Sequence, residues 1–392
     1  MTAVYIARCA DYDRDSLQAA VQETVDGLGG LAGLIRPGWR VLLKPNLLRP
    51  AAPEQGVSTH PELVRAVAQL VLDAGATPVI ADSPGGPHNR AYLAVLYRQS
   101  GMHEVARELG IDCNDDMRTT SVSNLDGDLL KGVEMLAVAA EADAIINLPK
   151  LKTHSFTLLS GAVKNLFGVI PGMGKTAYHA KLQTAHEFSR MLVDLALVCK
   201  PVITIMDGVL GMEGNGPSAG DVRRVGVILG STDDLALDVV AAALVGMDPQ
   251  QVPPLAVATA RGLTTGRLED VELRGLPLEQ ARLDPPFRLP TAATARRGPS
   301  ILGAISRVWP GQVTKPYPVA NADCTACRTC VRACPVKAIT IENGRARMAT
   351  NLCIQCYCCH ELCPYHAIDL QLHWLGRLLT RSTGGNHGQS RH

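Results

Sequence analysis

Two copies of the pattern C-x2-C-x2-C-x3-C-P, offset by 29 residues, constrain this chain more tightly than any other feature of its 392 residues. Cys324, Cys327, Cys330, Cys334 and Pro335 recur as Cys353, Cys356, Cys359, Cys363 and Pro364, and Ala338-Ile339 recur as Ala367-Ile368. Nine of the twelve cysteines lie between Cys324 and Cys363, the others being Cys9, Cys113 and Cys199. In a secreted chain such a group would form disulfides. The N-terminus, MTAVYIARCADYDRD, shows no basic stretch leading into an apolar one, so no secretory signal is legible and metal is the expected partner. No uncharged apolar run reaches about 18 residues, so no transmembrane segment is expected and the chain reads as soluble and cytoplasmic.

Three thiolates two residues apart can wrap a loop around successive corners of a cubane, and a fourth, followed by Pro, points away toward a second one. Structural zinc is the plainer alternative, but zinc sites separate two C-x2-C pairs by a longer arm. The doubled block resembles a bacterial-type ferredoxin with two [4Fe-4S] clusters. That resemblance implies one cluster on Cys324, Cys327, Cys330 and Cys363, and another on Cys353, Cys356, Cys359 and Cys334. Cys358 falls outside the pattern and reads as a packing residue.

Charge divides the chain at the same place. Residues 1–284 hold 25 Lys and Arg against 33 Asp and Glu, whereas residues 285–392 hold 13 against 4. Arg328, Arg332, Lys337, Arg345 and Arg347 surround the cysteine loops and suit anionic clusters. Without a helix-turn-helix or zinc-finger pattern, nucleic-acid binding is not expected.

The first 284 residues alternate short apolar runs with helical spacing. Val41–Leu43, Thr77–Ala81, Ala142–Leu148, Pro201–Met206 and Val225–Gly230 read as strands, and Pro61–Ala74 and Asp234–Val245 as helices. The expected fold class is therefore an α/β large domain with a mainly parallel sheet, plus a small α+β bacterial-type ferredoxin domain. The expected organisation is the large domain at 1–284, a Pro-rich connector at 285–318, the ferredoxin domain at 319–372 and a disordered tail at 373–392. The connector carries an amphipathic piece, Ile301–Trp309, expected to pack against something. Asn343-Gly344 is a hairpin signal.

Five lysines and two histidines fall within residues 150–181 of an otherwise acidic domain. Lys150, Lys152 and His154 are expected in a loop after a strand, with Lys164 and Asn165 on the following helix and Lys175, His179 and Lys181 beyond. Ligands of open α/β sheets bind outside the carboxyl ends of the strands. A pocket for a small anion is thus expected from Lys150, Lys152, His154, Lys164 and Asn165, completed by Lys44 and Asn46 from another strand end. Gly172-Met-Gly-Lys-Thr176 fails as a phosphate loop because Val169 stands where Gly is required, and no H-E-x-x-H is present.

Lys44-Pro-Asn46, Asn147-Leu-Pro-Lys-Leu-Lys-Thr-His154, Gly161-Ala-Val-Lys-Asn165 with Phe167-Gly168, and Asp207-Gly208 resemble the family catalogued as domain of unknown function 362, whose members often carry a ferredoxin module. The resemblance implies a fold and a domain pairing but no substrate. Fusion of the two parts leads to the expectation of electron transfer to or from an anion-binding site in the large domain, with a redox partner protein. The alternative is a relay to a separate enzyme, the large domain serving as docking scaffold.

Overall fold

The computed structural model of the protein describes residues 2–294 and 315–372. The amphipathic piece of the connector and the tail after residue 372 lie outside them. Nine strands of the ten-stranded main sheet among the described residues place the site: β1 (Ala3–Arg8), β2 (Arg40–Pro45), β3 (Thr77–Ile80), β4 (Asp112–Cys113), β5 (Ala144–Leu148), β6 (Lys150–His154), β7 (Ile203–Glu213), β8 (Asp221–Ser231) and β9 (Glu272–Gly275). The sheet order is β9-β1-β8-β7-β5-β2-β3-β4, with β6 continuing beside β7. Every pair from β7 to β4 is parallel, whereas β8 runs antiparallel to both β7 and β1.

Apolar runs make these strands because both faces are covered. Val41 and Leu43 of β2 pack with the helices Arg14–Gly27 and Pro61–Asp73, while Leu42 packs on the opposite face with the helix Ala185–Cys199. Ile146 and Ile145 of β5 divide in the same way. Two elements differ from expectation. β7 runs on through Asp207-Gly208 to Glu213, with a bulge between Gly208 and Leu210, because its antiparallel partner β8 continues the ladder. Lys150–His154 is a strand rather than a loop, held beside β7 through Asp207 and Met212.

The chain leaves β2 outward to β3 and β4, then returns to β5 on the other side of β2. Such a reversal opens a crevice at the carboxyl ends of the two strands. There Lys44 stands directly beside Asn147, and Pro45 beside Leu148.

In the small domain, Tyr317–Ala320 pairs with Ile368–Gln371 and Ile339–Glu342 with Arg345–Met348, both antiparallel. Asn343 and Gly344 both have positive φ, 48° and 73°, as a two-residue hairpin turn of this kind requires. The sequence repeat is also a backbone repeat: Ala326, Arg328 and Lys337 are left-handed, and so are Gln355, Tyr357 and His366, each 29 residues on. The domain docks through its buried Tyr357–Cys363 segment. Ser218 donates to Glu361 O (2.6 Å), and His360 Nε2 lies 3.2 Å from Asn215 O.

Candidate functional site between the two domains

Asn165 fills the crevice between β2 and β5. Its amide nitrogen donates to Lys44 O (3.1 Å) and Asn147 Oδ1 (2.8 Å), and its oxygen accepts from Asn46 Nδ2 (2.9 Å). The short helix bearing it, Ala162–Asn165, begins on the buried carboxylate of Asp238, which accepts from the N–H groups of Ala162 (2.6 Å) and Val163 (3.1 Å). A Cβ on Gly161 would collide with that carboxylate, which explains the glycine there.

Above this crevice lies a cavity of about 80 Å³ with walls from both domains. Asn46, Asp82, Lys164, Asn165, Lys175 and His179 come from the large domain, and Ala333, Cys358, Glu361 and Leu362 from the small one. Lys44 lies buried below, 2.9 Å from Asp82 Oδ1. Gly168 covers this ion pair, where any Cβ would strike both partners. Burial raises the Glu361 carboxyl above its ordinary range. Lys164 and Lys175 are the basic groups of the cavity; burial also pulls the Lys164 amine below the ordinary lysine range, with Glu361 and Cys358 opposing the shift. Burial, with Lys44 and Lys164 near, pulls the Lys175 amine down to about 7, although Asp82 opposes the shift.

The other candidates spread along one face of β6. Lys150 Nζ is 2.7 Å from both Asp207 Oδ2 and Tyr12 OH, and Tyr12 itself donates to Asp207 Oδ1 (2.8 Å). This buried network lies away from the cavity, so Lys150 does not line the expected pocket: a carboxylate on the neighbouring strand captures its amine. Lys152 Nζ donates to Asn46 Oδ1 and Val57 O at 2.7 and 2.6 Å, holding a cavity residue from behind. Burial draws its amine well below the usual lysine range, and Lys164 and Lys150 push the same way. His154 Nδ1 accepts from the N–H groups of Phe156 and Thr157, which leaves the proton of a neutral ring on Nε2. That nitrogen stands 3.2 Å from Glu361 Oε1, without hydrogen-bond alignment. Of the seven expected residues, Asn46, Lys164 and Asn165 therefore line the cavity, Lys44, Lys152 and His154 lie around or behind it, and Lys150 is elsewhere.

Asp82, Glu361 and the small-domain wall were not legible in the sequence, since none belongs to the basic run. Gly216-Pro-Ser218-Ala-Gly220 has the G-x-S-x-G spacing of a nucleophile elbow, but Ser218 is buried and spends its hydroxyl on Glu361 O.

His179 closes the cavity amid three of the protein's four phenylalanines: it stacks on Phe188 (4.5 Å) and meets Phe156 and Phe167 at 6.0 Å. Burial, reinforced by Lys164 and Lys175, depresses its pKa from 6.5 to about 3. The unfolded chain therefore binds a proton below pH 6.5 that the native one refuses until about pH 3, and stability falls as pH drops through that window. At pH 5.5 this term removes about 1 kcal/mol. Anaerobic denaturant titrations at pH 7.5 and 5.5 are expected to show wild type losing about that much more than His179→Phe; equal losses would refute the assignment.

Two cavities inside the small domain each gather four of the repeated cysteines, three from one repeat and one from the other. Cys324, Cys327, Cys330 and Cys363 share the first, with Ile341 and Ala367. Cys334, Cys353, Cys356 and Cys359 share the second, with Ile339 and Met348. The N–H groups of Ala338 and Ala367, again 29 residues apart, donate to the sulfurs of Cys334 (3.1 Å) and Cys363 (3.3 Å). Apolar walls and N–H···S bonds fit iron–sulfur ligation. Among the described residues no three His, Cys, Asp or Glu side chains gather tightly enough for a single metal ion, whereas thiolates around a cubane stand further apart. Cys358, buried, lines both the second of these cavities and the interdomain one.

Among the described residues no helix is long and apolar enough to cross a membrane. Residues 41–243 match the family described as "Domain of unknown function (DUF362)", and residues 318–364 match the 4Fe-4S dicluster domain. The thylakoid-associated protein sll1697 of Synechocystis sp. is 37% identical over 268 residues, covering 67% of this chain and 80% of that protein. Among solved structures, the lactate racemase apoprotein from Thermoanaerobacterium thermosaccharolyticum aligns with a TM-score of 0.42 at 15% identity, over 62% of this chain and 57% of its own. A structural-genomics protein from Thermotoga maritima aligns with a TM-score of 0.31 at 12% identity, over 51% of each chain. The chain thus spans little more than half the length of either solved structure.

Proposed function

Because the chain belongs to the DUF362 family, whose description names no reaction, and carries a 4Fe-4S dicluster domain, we propose a function from the site itself: an iron–sulfur electron-transfer protein that exchanges electrons with a small anion held between its two domains. The observation that carries this reading is the interdomain cavity, which places Lys164 and Lys175 opposite Cys358, the neighbour of Cys359. Cys324, Cys327, Cys330 and Cys363 hold one [4Fe-4S] cluster, and Cys353, Cys356, Cys359 and Cys334 hold the other. Each cluster, when bound, takes up and returns single electrons.

The chain's own residues supply binding and shelter. Lys164 and Lys175 attract the anion, Asn46 offers the amide hydrogen that it does not give to Asn165, Asn165 holds Asn46 in place, and His179 with its aromatic surround keeps water out. Lys152 and Lys44 hold Asn46 and Asp82 in place. A cavity of about 80 Å³ limits the occupant to a few non-hydrogen atoms. In the small domain Cys327 is exposed, and Tyr365, beside the same cysteine cavity, is 51% exposed. This edge suits exchange with a redox partner protein.

Anaerobically reduced protein, screened optically for reoxidation by a panel of small carboxylates and oxyanions, tests the reading. Reoxidation that depends on one such anion, and that Lys164→Met abolishes, is the expected result. Reoxidation by a protein partner alone, indifferent to Lys164, would overturn it in favour of a relay with a scaffold domain.

A further inference from the structure

We propose that two cations of the large domain, Arg49 and Lys164, each set the reduction potential of a different cluster: Lys164 the one held by Cys334, Cys353, Cys356 and Cys359, and Arg49 the one held by Cys324, Cys327, Cys330 and Cys363. The proposal rests on the two-cluster reading above and goes beyond it, since it gives the large domain a role in the electronics of the small one.

The geometry separates the two cations. Lys164 shares the interdomain cavity with Cys358, and Cys358 also lines the cavity of Cys334, Cys353, Cys356 and Cys359. Among the described residues, none lines both the interdomain cavity and that of Cys324, Cys327, Cys330 and Cys363. Arg49 takes the other side. It is only 4% exposed, and its guanidinium lies 3.4 Å from His366 Nε2, three residues beyond Cys363. Its remaining contact is to Pro50 O (3.1 Å), and among the described residues Nε has no hydrogen-bond partner.

Lys175 also lines the interdomain cavity, but its amine donates to Ser83 O and burial pulls it down to about 7, and Lys152 is turned to Asn46 and Val57 O. Other cations are worse placed to act. Lys44 and Lys150 are held by the carboxylates of Asp82 and Asp207. Arg328, Arg332, Lys337, Arg345 and Arg347 of the small domain are exposed, so water and salt screen them. Reduction adds a negative charge to an already anionic centre. A cation nearby in a poorly solvated interface favours the reduced form and raises the potential. Removing it should lower the potential of the adjacent cluster and leave the other in place.

The test is an anaerobic redox titration of the loaded protein followed by electron paramagnetic resonance. Cys353→Ser and Cys327→Ser identify which signal belongs to which thiolate set. Lys164→Met is expected to lower the midpoint of the Cys353-sensitive signal alone, and Arg49→Met that of the Cys327-sensitive signal alone. Lys164→Arg and Arg49→Lys, which keep the charge, are expected to stay near wild type. If a Met variant does not accumulate, the corresponding Gln variant removes the same charge and carries the same expectation. Signals that move together, move in the reverse assignment or stay still would overturn the proposal. Only one signal, with about half the expected iron, would instead overturn the two-cluster reading beneath it.

Discussion

Cys334→Ser is expected to destroy the cluster whose other three thiolates lie in the second repeat, and Cys363→Ser the cluster whose other three lie in the first. Wild-type protein should contain about eight irons and eight sulfides per chain, and each variant about four of each, because a set of three thiolates around a cubane-sized space leaves one iron open to water. The reason is the crossed lining of the two cavities: Cys334 faces Cys353, Cys356 and Cys359, not the cysteines beside it in sequence. Cys358→Ser, by contrast, should leave both clusters assembled, since its position matches none of the repeated thiols and the first repeat has Thr329 in its place. Iron and acid-labile sulfide analysis, with spectra to show which signal survives, checks all three variants. Loss of the cluster nearest in sequence would refute the crossed assignment, and one or two irons with zinc would refute the clusters altogether.

The crossed lining of the two cysteine cavities is foreshadowed in the amino-acid sequence by the doubled spacing. With Pro after each fourth cysteine, that spacing carries the resemblance to a two-cluster ferredoxin, and the resemblance implies the swap. The parallel half of the large sheet is legible for a local reason. Val41–Leu43 and Ala144–Ile146 are apolar on both faces, and only a strand covered by helices on both sides accommodates that. β6 is not legible, because Lys150, Lys152 and His154 read as loop polarity. They form a strand beside β7, and Lys150 and Lys152 are accommodated there because each finds a buried partner far away in sequence, Asp207 and Asn46. The same long-range pairing decides which lysines face the cavity. Composition concentrates basic residues between 150 and 181, but whether a given amine is spent internally depends on carboxylates more than fifty residues distant. Lys150 is paired in this way, and among the described residues Lys164 has no such ion pair. The small-domain wall of the site lies beyond sequence reasoning altogether, since docking of the Tyr357–Cys363 segment depends on single contacts such as Ser218 to Glu361.

That distinction separates Lys164 from Lys150 in experiment. Binding of small anions, measured by calorimetry on oxidised, cluster-loaded protein with acetate, bicarbonate and inorganic phosphate as probes, is expected to weaken about ten- to a hundredfold in Lys164→Met, the loss of one charge-assisted contact worth roughly 1.5–3 kcal/mol. The visible absorbance of the clusters should stay unchanged. Lys150→Met strands Asp207 inside the sheet, with Tyr12 and the N–H groups of His60 (2.9 Å) and Val209 (3.3 Å), but no cation, as its remaining partners. Breaking one side of a buried pair costs about 3–5 kcal/mol, so this variant should unfold at markedly lower denaturant concentration. Its folded fraction should bind the same anions as wild type, because no atom of the Lys150 network touches the cavity. Lys152→Ala falls between them: it frees Asn46 from behind, so it should weaken binding less than Lys164→Met. A Lys164→Met protein that binds all three probes as wild type does, or a Lys150→Met protein that loses binding while still folded, would move the anion site away from the domain interface and leave the cavity as a packing gap between two domains.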